Sequence, residues 1–165
     1  MKRYLLPLMA ALLLAGCAAR EDNDRAADIQ RSYAAMAGCA ARVEVAVARA
    51  DETLRCTLDL ERDGDETQLT VVEPEALAGV GVTVTGDALA LRYDDMVLDA
   101  GSADENVSAV NAADIVLRAV ASGWLVERGA EEDALRLCFE TEQGGTPLRV
   151  AVWFDETNAP LDYSA

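Results

Sequence analysis

Residues 41–98 alternate between apolar and polar side chains, and short turns separate the alternating runs. Apolar positions that recur every second residue are typical of antiparallel strands with one buried face. Turn residues divide the runs at Ala50-Asp51, Asp63-Gly64, Gly86-Asp87 and Asp94-Asp95. The pattern therefore predicts a meander of five or six strands.

Two-residue turns also predict which residues face each other across each hairpin. A turn at Asp63-Gly64 places Leu58 opposite Leu69 and Cys56 opposite Val71. A slip of one residue would turn every apolar side chain to the other face, so the coincidence of apolar faces supports the assignment. The pairs predicted from the other turns are Val43 with Leu58, Val45 with Cys56, Val82 with Leu91, and Leu137 with Val152.

Two segments have helical periodicity instead. The first begins near Asn23 or Asp24 and carries Ile29 and Tyr33 on one face, and the second ends at Gly123. Further strands are predicted at 124–128, 135–142, 148–154 and 161–164. The predicted fold class is therefore α+β, with a single large curved antiparallel sheet in the form of a half-open barrel and two helices packed on its concave face.

The first 25 residues follow a different pattern. An apolar run after Lys2 and Arg3 has the length of a signal-peptide core and is too short to span a bilayer. The run ends in a lipobox, in which small residues suit the signal peptidase and the thiol accepts a diacylglyceryl group. The lipobox is Leu14, Ala15, Gly16 and Cys17. We predict a lipoprotein signal peptide over 1–16, a lipidated tether over 17–25 and one domain over 26–165.

Acylation of Cys17 predicts attachment to the outer face of the cell membrane. Each buried methylene contributes roughly 0.8 kcal/mol, and two acyl chains anchor a protein stably where one is marginal. Ala18 rather than Asp follows the cysteine, which permits an outer-membrane location if the organism has two membranes. The covalent diacylglycerol on Cys17 is the only non-protein group expected, and no cofactor is predicted.

The net charge and the residue types present restrict the partners that the chain can bind and the reactions that it can catalyse. Without residues 1–16 the chain has 12 arginines against 30 acidic residues, a net charge of −18, and it has neither lysine nor histidine. Such a surface repels phosphate backbones, so no nucleic-acid partner is expected. Because this part of the chain has no histidine, it lacks the commonest general base and the commonest metal ligand. Because it has no lysine, it cannot form a Schiff base through a lysine amine. We therefore expect no catalytic residues, no metal site and no enzymatic activity.

Three cysteines accompany Cys17 in the sequence, namely Cys39, Cys56 and Cys138. The predicted register places Cys56 opposite Val45, about 20 Å along the strand from Cys39, which is beyond disulfide reach. Cys56 is expected to be a core thiol, and Cys138 is expected to be more accessible. A Cys39–Cys138 disulfide remains open as an alternative.

Several short strings resemble the LolA-like superfamily of lipoprotein carriers and receptors. They are Pro74-Glu75 with Ala78-Gly79-Val80, the run 91–95, and Val152–Asp155 followed by Ala159-Pro160-Leu161. The similarity covers about 26–164 and is greatest to a lipoprotein branch found in single-membrane bacteria. The resemblance implies a half-open barrel closed by helices, an apolar cavity for acyl chains or a docking surface for a protein, and no catalysis.

These expectations lead to two functional hypotheses. The first is a non-enzymatic envelope lipoprotein that binds an acyl-chain ligand in a cavity or an envelope protein partner, as a fixed receptor rather than a soluble shuttle. The alternative is an accessory subunit that regulates a cell-wall or spore-envelope enzyme. The candidate cavity wall is the apolar face, which is equally compatible with a filled core. Its residues are Val43, Val45, Leu58, Leu69, Val82, Leu91, Leu137 and Val152.

Overall fold

The computed structural model describes residues 23–49, 52–103, 108, 109 and 111–164. The predicted signal peptide, the lipobox and the lipidation site Cys17 lie outside the described residues. Helix α1 spans 23–34. Six strands follow it: β1 Gly38–Arg49, β2 Glu52–Asp63, β3 Glu66–Glu73, β4 Gly81–Thr85, β5 Ala88–Tyr93 and β6 Met96–Ser102.

A short 3-10 helix, Glu75–Leu77, connects β3 to β4. Helix α2, Ala112–Ser122, follows β6 and is capped by Gly123, where the sequence predicts its end. The last elements are α2 Ala112–Ser122, β7 Trp124–Glu131, β8 Ala134–Gln143, β9 Thr146–Phe154 and β10 Pro160–Ser164.

Hydrogen bonding divides the described strands into two antiparallel sheets, in the orders β1-β2-β3-β4-β5-β6 and β10-β9-β8-β7. The predicted α+β class is confirmed. Within that class the strands form two sheets where the sequence pattern predicts one. Tight hairpins make consecutive strands neighbours, but the connection from β6 to β7 passes through α2, so the ladder is interrupted there.

The predicted hairpin registers agree with the structure except around Gly64. Its backbone φ is +57°, a left-handed conformation that glycine adopts without steric cost, and the turn is Gly64-Asp65. Leu58 therefore faces Val71 rather than the predicted Leu69. Moving the turn by one residue shifts the pairing by two, so the apolar face is unchanged. The confirmed pairs are Val43–Leu58, Val45–Cys56, Val82–Leu91 and Leu137–Val152.

Helix α2 packs against both sheets and forms part of two apolar clusters. The four-strand cluster contains Ala26, Ile29, Ile115, Val116, Ala119, Val120, Leu135, Leu137, Phe139, Val150, Val152 and Phe154. The six-strand cluster contains Val45, Cys56, Leu58, Leu60, Leu69, Val71, Val82, Val84, Ala103, Ala109, Ala112 and Ala113. Full burial of one such Leu or Val side chain contributes about 1.5–3 kcal/mol. The two clusters thus meet at α2, which contributes side chains to both of them.

Asp114, on the first turn of α2, carries a charge into this junction. Its carboxylate accepts a hydrogen bond from Thr67 Oγ1 at 2.6 Å and pairs with Arg118 at 2.8 Å and Arg62 at 3.8 Å. The side chain of Asp114 is 3% exposed. A buried carboxylate is tolerated when it is paired and hydrogen-bonded, and here its partners on β2 and β3 fix the position of α2 on the six-stranded sheet.

Candidate functional site

The structure divides the eight predicted wall residues between the two clusters. Leu137 and Val152 belong to the four-strand cluster, and both are 0% exposed. The other six lie in or against the six-strand cluster, and they are Val43, Val45, Leu58, Leu69, Val82 and Leu91. Of the eight, Val43 and Val45 line an open cleft. A ligand-binding role for the remaining six stays a prediction.

This cleft has a volume of 1110 Å³ and lies between β1 and β10, and we call it the β1–β10 cleft. It brings together the first strand and the last strand of the described chain. Its lining residues are Arg42 to Ala46 of β1, Arg55 to Thr57 of β2, Val72 and Glu73 at the end of β3, Pro74, Glu75 and Ala78 in the connection that follows β3, and Pro160 to Tyr163 of β10.

Strands β1 and β10 are both edge strands of their sheets. The Gly64 N–H donates to the carbonyl oxygen of Ala37 at 2.7 Å. This bond identifies which opposed residue pairs of β1 and β2 are hydrogen-bonded and which are not. Opposed residues of an antiparallel pair alternate between bonded and non-bonded positions, so even-numbered β1 residues direct their main-chain groups away from β2. The N–H and C=O groups of Arg42, Glu44 and Ala46 therefore lie along the open edge that borders the cleft.

Apolar side chains form the inner part of the cleft. Val45 is 3% exposed and Cys56 is 5% exposed, and Tyr163 of β10 packs against both apolar clusters. Burial, with a contribution from neighbouring Asp162, raises the pKa of Tyr163 to about 12. Its hydroxyl is buried and has no hydrogen-bond partner among the described residues. Tyr163 is thus a neutral side chain that joins the two cores at the cleft.

Charged side chains on the outer face of the sheet surround this apolar part. Arg42 donates two hydrogen bonds to Asp59, at 2.7 and 2.8 Å, and these bonds hold the pKa of that carboxyl below its usual range. Glu44 lies opposite Thr57, whose Oγ1 donates to Glu73 at 3.2 Å. The lining holds four carboxylates and two guanidiniums, and they are Glu44, Glu73, Glu75 and Asp162 with Arg42 and Arg55. Because Asp59 already neutralises Arg42, the cleft is acidic.

The three described cysteines are free thiols, so none of them forms a disulfide. Cys56 is buried in the six-strand cluster, as predicted. The prediction that Cys138 is accessible is wrong, since it is 1% exposed. Strand β8 is interior to its sheet, and the longer side chains of Arg136, Glu140 and Glu127 flank this short thiol on the same face. Burial raises the pKa of the Cys39 thiol, against the opposing charge of Arg62.

The described residues contain neither a cluster suited to a metal ion nor a membrane-spanning helix. Within the described ranges, no three His, Cys, Asp or Glu side chains are grouped so that they could hold a metal ion. No helix within those ranges is both long and apolar enough to cross a membrane.

The sequence pattern did not reveal the cleft, because strand periodicity carries no information on how β1 and β10 lie relative to each other. One residue did indicate an edge. Pro160 opens a strand, and proline is confined to edge strands, first positions and bulges because it lacks an N–H for the ladder. The buried carboxylate was also missed, although Asp114 interrupts an otherwise apolar helix face.

Comparison with known proteins finds no matching family model and no match among curated proteins. Among solved structures, this chain is similar to the complex of the CwlD amidase from Clostridioides difficile with the GerS lipoprotein. The sequence identity is 13%, the match covers 86% of this chain and 91% of that chain, and the TM-score is 0.34. A TM-score this low does not establish a common fold, so the LolA-like resemblance stays a prediction.

Proposed function

We propose that this chain is a non-enzymatic extracytoplasmic lipoprotein, anchored through acylated Cys17, that binds a protein partner in the β1–β10 cleft. The lipobox Leu14 to Cys17 supports the anchor and the location at the outer face of a membrane. The β1–β10 cleft supports the proposal that the chain binds a protein partner. Of the two properties implied by the LolA-like resemblance, a docking surface and an acyl-chain cavity, the proposal takes the docking surface.

One observation carries the choice of a protein over an acyl chain. The open cleft borders a free strand edge and is lined by carboxylates as well as apolar groups. An acyl chain placed there would desolvate these polar groups without giving them hydrogen bonds, whereas a polypeptide brings its own donors and acceptors. The apolar faces are packed from within, since Leu58, Leu137 and Val152 are all 0% exposed.

The groups in the cleft also support binding rather than catalysis. The chain has no histidine, and the one thiol in the lining, Cys56, is 5% exposed. A catalytic thiol needs an accessible thiolate, which an apolar cluster disfavours. The groups that are accessible are main-chain amides, carboxylates and guanidiniums, and these suit recognition of a polypeptide.

Affinity purification from native membranes tests the proposal. Full-length protein, solubilised in detergent, is expected to retain a partner in near-stoichiometric amount. Ala46→Arg places a long side chain at the cleft and is expected to lose that partner, while Ala130→Arg, at an exposed position of β7 outside the cleft, is expected to keep it. Equal recovery with both variants would contradict the proposal. A cell-wall or spore-envelope enzyme as the partner would assign the accessory-subunit function.

Lipid analysis tests the rival ligand directly. Cys17→Ser removes the predicted acylation site, so any acyl lipid that this full-length variant carries must be non-covalent. We expect solvent extraction and mass spectrometry to recover no lipid in stoichiometric amount. One acyl lipid per chain, unaffected by Ala46→Arg, would favour a cavity ligand over a protein partner.

A further inference from the structure

We propose that the partner presents an extended, basic segment that pairs with β1 as an added strand inside the β1–β10 cleft. This rests on the proposed function and specifies the contact through which the partner binds. Addition of a strand to a free sheet edge gives affinity through main-chain hydrogen bonds and specificity through alternate side chains.

The main chain of β1 provides the template. Arg42, Glu44 and Ala46 direct their N–H and C=O groups to the open edge. These donors and acceptors recur at every second residue, which is the spacing that an added antiparallel or parallel strand requires. Five residues at about 3.4 Å each give a contact about 17 Å long, the usual length of a strand. An edge of this kind attracts an additional chain unless it is covered or interrupted.

Strand β10, on the other side of the cleft, is a poorer template. The Asp155 N–H donates to the carbonyl oxygen of Ala159 at 2.9 Å, which makes Pro160 and Phe154 a non-bonded pair. Position 160 therefore directs its main chain away from β9, and proline has no N–H to offer there. The incoming strand is thus expected to pair with β1 and to contact β10 through side chains.

Side chains on the two faces of β1 define the segment that fits. Val43 and Val45 point inward with Tyr163 nearby, so alternate residues of the added strand are expected to be apolar. On the outer face, Glu44 begins a row that continues through Thr57 to Glu73. A lysine or arginine on the added strand would lie beside this row of carboxylates, and the neighbouring Arg42 on the same face is already paired with Asp59. An acidic segment would meet repulsion from the row and from the net charge of −16.

The opposite edge of the six-stranded sheet provides a matched control. Tyr93 and Met96 close a two-residue turn, so the main-chain groups of Val97 point outward from β6 just as those of Ala46 point outward from β1. Val97 is 67% exposed, and Asp99 occupies the next outward position. A substitution on this edge alters an equivalent backbone position outside the cleft.

Selection from a phage-displayed library of random twelve-residue peptides, against full-length protein in detergent, tests the proposal. The selected peptides are expected to be enriched in Lys and Arg and to carry Val, Ile or aromatic residues at alternate positions. Ala46→Pro removes the outward N–H without affecting the ladder to β2, and we expect it to weaken binding of the selected peptides about tenfold. Val97→Pro is expected to leave the affinity unchanged.

Charge provides the second readout if Ala46→Pro perturbs the fold. Glu44→Lys is expected to weaken binding of the basic peptides at least tenfold at low salt, and Asp99→Lys is expected to have little effect. Selected peptides without basic enrichment, or binding that is insensitive to both β1 variants, would overturn strand addition. The proposed function would survive that result if Ala46→Arg still abolishes recovery of a membrane partner, so the two failures are distinguishable.

Discussion

Asp114 is the residue at which local chemistry and packing are most closely coupled. Its charge lies at the point where α2 meets β2 and β3, where two arginines form ion pairs with it and the hydroxyl of Thr67 donates a hydrogen bond to it. Residue-level prediction from the sequence succeeded for side chains whose burial follows from strand alternation, such as Cys56. It failed for Cys138, because accessibility depends on the neighbours contributed by adjacent strands.

Replacement of Asp114 by asparagine is expected to destabilise the protein by about 3 kcal/mol. The change keeps the shape but leaves two guanidiniums without their carboxylate, and removal of one partner of a buried ion pair costs about 3–5 kcal/mol. The lower figure applies because Arg118 is 30% exposed and Arg62 is 18% exposed. Urea unfolding measures the change. The matched variant Asp59→Asn removes an exposed pair, and an equal loss in both variants would contradict the role of Asp114.

Tyr163 predicts a specific dependence of stability on high pH. Its pKa is about 12 in the folded protein against an ordinary value of 10.0. Below pH 10 the phenol is neutral in both states, and its contribution to stability is fully present. Between pH 10 and 12 only the unfolded chain ionises, so stability falls as the pH rises. We expect Tyr163→Phe to reduce this fall in the urea midpoint, and an identical pH profile for both proteins would refute the assignment.

At the scale of elements, strands and hairpins were predictable because their determinants are local. Alternation of side chains and two-residue turns specify a hairpin within about twenty residues, and the registers around Ala50-Asp51 and Gly86-Asp87 were obtained in this way. The turn after β2 was placed one residue early, since both Asp63-Gly64 and Gly64-Asp65 are good turn sequences. Only the left-handed backbone of Gly64 distinguishes them.

The junction between α2 and β8 leads to a prediction about two glycines. A Cβ on Gly123 would lie 2.4 Å from the carbonyl oxygen of Ala119 and 3.2 Å from Phe139 Cβ, whereas a Cβ on Gly129 would meet nothing within 4 Å. Gly123→Ala is therefore expected to destabilise the protein by about 1–3 kcal/mol, the usual cost of overpacking. Gly129→Ala is expected to cause no loss, and thermal unfolding of both variants decides the matter.

For the whole molecule, neither the division into two sheets nor the cleft was accessible from the sequence. Both depend on how α2 crosses between the sheets and on where β10 lies relative to β1, and these placements are set by non-local packing. The composition did predict the sign of the charge that surrounds the cleft. The acidic excess is a property of the whole chain, whereas the edge that it surrounds is a property of the fold.

Coupling of the two clusters through α2 predicts a single unfolding transition. Trp124 and Trp153 both lie in the four-stranded sheet, so tryptophan fluorescence reports on that sheet. Leu58→Ala in the six-stranded sheet creates a cavity and is expected to cost about 2–5 kcal/mol. If the sheets unfold together, the fluorescence midpoint shifts with the circular-dichroism midpoint. A fluorescence midpoint that stays at the wild-type value would show that the sheets unfold independently.

Occupation of the β1–β10 cleft by a protein partner in the cell is the central element of the proposed function. Site-specific photo-crosslinking tests it most directly, with a photoreactive residue placed at Ala46 or, as a control, at Ala130 in the full-length protein in its native cells. We expect a discrete protein adduct from position 46 that is absent from position 130. No protein adduct at position 46, or the same adducts at both positions, would contradict it.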